Sequence, residues 1–135
     1  MKQWFTLLPV LLGLIIPLAA CGNTASAKDV QITLTDDKIT SSITSFLQNI
    51  PYHFTIKNQG IQQHEIMIMS PTMSNNMSMD DMDKMALAHI SNINSGETKS
   101  LDYTFTQAYP AGKLELACHM LDHYQKGMYL GIVVK

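Results

Sequence analysis

The chain has 135 residues, a formal net charge of −2 and 46% hydrophobic residues, and all nine of its basic residues are lysine. That length bounds the folded part to one domain. A mildly acidic chain without arginine lacks the basic face that nucleic acid requires, so a nucleic-acid partner is excluded.

The chain opens with Met1-Lys2 and an apolar run from Trp4 to Pro17. A positive start, a short hydrophobic stretch and small residues after it read as a secretory signal. Pro9, Gly13 and Pro17 interrupt the run, which is short for a membrane span. Its ending, Leu18-Ala19-Ala20-Cys21, resembles the bacterial lipobox. The resemblance implies that residues 1–20 are a lipoprotein signal peptide and that Cys21 carries lipid. Residues 21–29 then form a small, polar tether, and residues 30–135 form the domain. A lipid anchor places that domain outside the cytoplasm at a membrane, on the periplasmic or outer cell-surface side.

The elements that follow alternate apolar and polar residues, the period of half-buried strands. Val30 to Asp36 is a strand, and Ile39 to Phe46 is a weaker, Ser/Thr-rich edge. Tyr52 to Lys57 follows Pro51, and Asn58-Gln59-Gly60 marks a turn. His64 to Met69 (HEIMIM), Thr98 to Thr106, Lys113 to Cys118 and Met128 to Val134 are further strands, with a loop expected over residues 107–112. One segment departs from this period. Ser78 to Ile90 reads as a helix, with Ser78 and Asp81 forming a capping-box-like start. Asp80, Asp81 and Asp83 lie near its positive end, and Met82, Met85, Ala86 and His89 lie on one face. The pattern predicts an all-β, Greek-key antiparallel sandwich with one short helix in an insertion.

The chemistry concentrates in Ala117 to Met128, "ACHMLDHYQKGM". The chain has two cysteines. With Cys21 lipidated, Cys118 is an unpaired thiol in a compartment that favours disulfides. It is either a buried inert residue or a metal thiolate. His123 and Met128 follow at even spacing, and three donors from one loop need a fourth from elsewhere in the scaffold. His64, at the start of its strand, is the best candidate. Two imidazoles, a thiolate and a distant thioether are the ligand set of a blue-copper electron-transfer site.

His64 together with "CHMLDHYQKGM" resembles the bacterial cupredoxins, the small plastocyanin- and azurin-like blue copper proteins. The Cys-x4-His-x4-Met spacing is similar to the longer ligand loop of rusticyanin- and sulfocyanin-like members. The loop also resembles Cys-His-x-Pro-Gly-His-Tyr-x-x-Gly-Met, matched at Cys118, His119, His123, Tyr124, Gly127 and Met128. Leu121-Asp122 stands where that pattern has Pro-Gly. The resemblance implies one type 1 copper ion, with Cys118 as thiolate, His64 and His123 as imidazole ligands and Met128 as axial thioether. It also implies a one-electron carrier at the outer face of the cytoplasmic membrane, with redox proteins as donor and acceptor. The edge of His123, with Met120 and Leu121 around it, is the expected electron port.

His53, His89 and His119 are expected to be non-ligands, Glu65 an outward strand residue, and Met67 and Met69 ordinary strand residues. Met73, Met77, Met79, Met82 and Met85 crowd a polar insertion. They read first as a pliable apolar surface that packs over the sandwich or docks a partner; thioethers also favour Cu(I), so the alternative function is Cu(I) delivery or resistance through that insertion. The sequence contains no Gly-x-Ser-x-Gly, His-Glu-x-x-His or phosphate-binding loop, and an enzyme is not expected.

Overall fold

The computed structural model describes residues 26–71, 77–120 and 122–135. Cys21, Met73 and Leu121, each singled out above, lie outside the described residues. Within them the strands form two sheets. β1 (Lys28–Leu34), β2 (Ile39–Ser41), β4 (Pro51–Asn58) and β7 (Thr98–Thr104) make a four-stranded sheet in the order β2-β1-β4-β7. β3 (Ser45–Phe46), β5 (His64–Met69), β6 (Ala88–Ile93), β8 (Tyr109–Ala117) and β9 (Tyr129–Val134) make a five-stranded sheet in the order β3-β9-β8-β5-β6. α1 (Met79–Met85) is the single helix among the described residues. This is the all-β sandwich expected from the sequence, with two parallel neighbour pairs, β1–β4 and β3–β9, among antiparallel ones.

The inner faces interdigitate through alternate residues. Val30, Ile32, Leu34, Phe54 and Ile56 of one sheet meet Ile66, Ile68, Leu114, Leu116 and Ile132 of the other. An aromatic cluster fills one end. Phe46 packs edge-on to Tyr52 at 5.0 Å and tilted on Phe105 at 5.2 Å, and the Tyr52 hydroxyl accepts the N–H of Leu47 at 2.9 Å. The strand ends opposite this cluster are fixed by Asn58, which is fully buried. Its side-chain amide donates to the carbonyls of Gln62 and Ile93, at 2.8 and 2.9 Å, and its side-chain oxygen accepts the N–H of Gly60 at 2.8 Å. One side chain thereby shapes the turn over residues 59–62 that leads into β5.

Three local expectations are corrected. The edge segment 39–46 splits, β2 joining one sheet and β3 the other, because Ile39 and Phe46 are both drawn into the core from opposite layers. The helix is shorter than its sequence pattern. It starts at the expected cap, Ser78, whose hydroxyl accepts the N–H of Asp81. It ends at Ala86, whose backbone is extended (ψ 138°). The chain then enters β6, where Ala88, His89 and Ile90 pair with Ile68, Met67 and Ile66. The open edge of β5 supplies ladder hydrogen bonds that helical periodicity cannot anticipate. The loop expected over residues 107–112 is largely strand, with the pairing of β8 and β9 shifting between Tyr109 and Leu114. Gly112, at φ 76°, takes the left-handed conformation in this irregular stretch.

Candidate metal centre

β5 begins with His64 and β8 is followed directly by Cys118, and the two strands are hydrogen-bonded neighbours. From Cys118 the chain winds through a tight loop to Met128. His123 N–H donates to the Met120 carbonyl at 2.9 Å, and Gly127 N–H donates to the Tyr124 carbonyl at 3.0 Å. Met128 N–H donates to the His123 carbonyl at 3.1 Å, and Cys118 N–H donates to the Met128 carbonyl at 3.0 Å. Gly127 makes the last turn possible with φ 103°, which a side chain would strain. The surface end of the loop is braced by Lys126 and Asp122, 2.8 Å apart.

Three of the four expected ligands converge. His64 Nδ1 and His123 Nδ1 are 3.2 Å apart, and Cys118 Sγ is 3.9 and 3.4 Å from them respectively. A trigonal ion with bonds of about 2.0 Å to nitrogen and 2.3 Å to sulfur holds its donors roughly 3.5–3.8 Å apart. The observed triangle matches that spacing to within a few tenths of an ångström. All three residues are buried, and Met128 is buried in the same core cluster as Cys118. Among the described residues, His64, Cys118 and His123 form one of two groups able to hold a metal ion.

The outer partners of these side chains aim them. His64 Nε2 lies 3.3 Å from Asp36 Oδ1, and His123 Nε2 lies 2.7 Å from Gln62 Oε1. With an acceptor at each Nε2, the proton belongs there and the Nδ1 lone pairs face inward. Burial, followed by the adjacent His64, lowers the His123 pKa and favours its neutral, ligating form. Asp36 is fixed in turn by the backbone N–H groups of Gln62 and Ile61, which hold its pKa low. Gly60 leaves the room for this contact. A Cβ there would collide with Asp36 Oδ1 and lie 3.0 Å from His64 Nε2.

Burial raises the Cys118 pKa, and the backbone N–H groups of Glu65 and Met120, which its sulfur accepts, partly offset the rise. Three buried lone-pair donors therefore meet side by side. A soft or borderline metal ion satisfies them, and thiolate plus two imidazoles suits copper. The donor set fits one type 1 copper ion.

Some expectations about individual residues change. The edge of His123 is not open. The residue is 2% exposed and Gln62 covers its outer nitrogen. His119 is half-buried and stacks on Tyr124, with centroids 4.4 Å apart and planes 13° apart. His89 belongs to β6, with Nε2 3.3 Å from Glu65 and Nδ1 3.2 Å from Asp83 of α1. This second metal-capable group is a hydrogen-bonded chain, since each ring nitrogen already faces a carboxylate. Glu65 points outward from the sandwich as expected, yet it is buried and accepts the His119 N–H at 2.9 Å. It ties the strand of one ligand to the residue after another. Asp36 and Gln62 were not singled out in the sequence, and no spacing there connects Asp36 to a histidine 28 residues later.

No family model matches the chain and no curated protein matches it. Solved structures do resemble it. A reduced auracyanin from the photosynthetic bacterium Roseiflexus castenholzii matches with a TM-score of 0.58 and 17% identity, over 82% of this chain and 98% of that one. Auracyanin B matches with a TM-score of 0.60 and 18% identity, over 81% and 89%. A multi-copper oxidase from Pediococcus acidilactici matches with a TM-score of 0.52 and 19% identity, over 99% of this chain but 31% of that one. At these identities the likeness establishes the fold, which is that of the cupredoxins. The site within it is a buried His-Cys-His group of the type 1 copper kind.

Proposed function

We propose that this protein is a type 1 copper protein that carries single electrons, anchored through lipid on Cys21 at the outer face of the cytoplasmic membrane. The observation that carries the reading is the buried triangle of His64 Nδ1, His123 Nδ1 and Cys118 Sγ, with each imidazole aimed from behind by its own acceptor. Met128 supplies the fourth, axial donor. Bound copper supplies a one-electron couple shared between Cu(I) and Cu(II). The protein's part is to hold the donors still. Asp36 and Gln62 lock both rings, two backbone N–H groups lock the sulfur, and the sandwich excludes water, so little has to move when the charge changes. Confinement by a lipid anchor raises the effective concentration of the carrier near membrane-bound redox proteins, which serve as its donor and acceptor.

The test is to load the full chain with Cu(II). An intense thiolate-to-copper absorption band that bleaches with one electron per copper and returns on oxidation is expected, and Cys118→Ser is expected to abolish it. A colourless complex, or a band indifferent to Cys118→Ser, would sink the proposal. Membrane recovery of the wild type, lost in Cys21→Ser, tests the anchor. The other reading, Cu(I) delivery, is favoured by a separate observation: Met77 and Met82 of the insertion pack on Met67 and Met69 of β5.

A further inference from the structure

The outer face of the five-stranded sheet carries a buried layer that the thiolate site does not use. Strand register defines it. Met67 pairs with Ala117 of β8 and with His89 of β6, and Met69 pairs with Glu115. Alternate residues share a face, so Met67, Met69, Glu115 and Ala117 face away from the core into which Ile66, Ile68, Leu116 and Cys118 point. α1 roofs this face with Met82. Met67 and Met69 are fully buried and Met82 nearly so, with Met77 and Tyr124 packed against them. The Asp83–His89–Glu65 chain ties the roof to the sheet along one side.

Two features set the layer apart from ordinary apolar packing. First, three of the four buried residues in the cluster are thioethers, at positions where Leu or Ile would pack with better-defined rotamers. Second, two buried polar atoms beside it, Glu115 Oε1 and His119 Nε2, have no hydrogen-bond partner among the described residues. Glu115 is 4% exposed and stands directly across from Met69. His119 lies two residues beyond Ala117, diagonal to Met67, a separation of about 7–8 Å between strands that long side chains bridge. Its ring stacks on Tyr124, which itself packs on the methionines. An unsatisfied buried polar atom destabilises the fold, a cost that packing alone does not explain.

We propose that this layer is a second metal site, a Cu(I) site formed by the thioethers of Met67, Met69 and Met82 with Nε2 of His119, beside the buried side chain of Glu115. Thioethers and a neutral imidazole select Cu(I) over the hard cations, which require oxygen ligands. The site does not depend on copper at Cys118, so it stands or falls separately from the electron-carrier reading.

The experiment is an anaerobic Cu(I) titration of the full chain against a chromogenic Cu(I) chelator, in three variants. Wild type is expected to bind two equivalents. Cys118→Ser is expected to lose the visible band yet retain one equivalent, and X-ray absorption of that copper should show sulfur and nitrogen neighbours. Adding Met67→Leu and Met82→Leu to Cys118→Ser should weaken the remaining equivalent by roughly 10–100-fold or more. These exchanges conserve volume, and an unchanged thermal transition confirms that α1 and the sheet still pack. A Cys118→Ser chain that binds no Cu(I), or a triple variant that binds it as tightly as Cys118→Ser, overturns the proposal.

Discussion

Gly60 sets the distance between Asp36 and His64 by having no side chain. Gly60→Ala should push the Asp36 carboxylate off His64 Nε2, since the new Cβ has no other space. Overpacking of this kind costs about 1–3 kcal/mol, and the loss of an outer partner costs roughly 10–100-fold in metal affinity. Urea unfolding of the apoprotein and a copper competition assay measure the two effects separately. Gln62→Ala removes only the acceptor from His123 Nε2. It is expected to keep the thiolate band and shift the reduction potential, read by voltammetry. A different residue sets the acid–base behaviour of the apoprotein. Burial raises the pKa of Glu115 above its ordinary 4.5, and the Tyr124 hydroxyl that donates to it only partly offsets this. The fold therefore favours the neutral carboxyl. The stability this confers is complete below the unfolded-state pKa and is lost as pH rises through the higher folded-state value. Glu115→Gln should be more stable than wild type at neutral pH and equal to it near pH 4, as followed by chemical denaturation across that range.

At the scale of elements, β5 explains most of what the molecule can do. It is buried along its whole length, facing the core with one set of alternate residues and α1 with the other. The turn before it hangs on Asn58. Asn58→Ala removes three hydrogen bonds, each worth about 1 kcal/mol net, and should cost roughly 2–4 kcal/mol while loosening both Gly60 and Gln62. Ser78→Ala removes the cap of α1 and should cost about 1 kcal/mol there. Hydrogen exchange should quicken in α1 with the core strands unchanged. These elements also show what a sequence can reveal. β5 was legible to the residue because HEIMIM is an apolar run between a turn and a polar insertion. The Cys118–His123–Met128 loop was legible because local spacing carries its geometry. β6 was not, since its six residues become a strand only by pairing with β5. Asp36 and Gln62 were not, because a carboxylate and an amide acquire their role from a turn packed against another sheet. The outward rank of Met67 and Met69 was visible as alternation, and its roof as a methionine-bearing helix face able to pack over the sandwich.

For the molecule as a whole, metal binding and folding are one equilibrium. Because the donors converge only in the sandwich, a bound ion adds its binding energy to the folded state, about 2.7 kcal/mol at a free concentration roughly a hundred times Kd. Copper should raise the thermal transition of wild type, and it should do so much less in Cys118→Ser, where only the outer-face site remains. Parallel pairing of β1 with β4 and of β3 with β9 makes many contacts distant in sequence. That places folding in the slow, β-rich regime of milliseconds to seconds. The positions of the donors along the chain add a matter of timing. His64 is in place by the middle of the domain, but Cys118, His123 and Met128 arrive together just before β9, which must close between β3 and β8. A chain emerging from its N-terminus therefore holds a single donor of the thiolate site, His64, for most of its synthesis. Capture at that site coincides with the closing of the last strand, so an unfinished chain cannot occupy it and a finished one can.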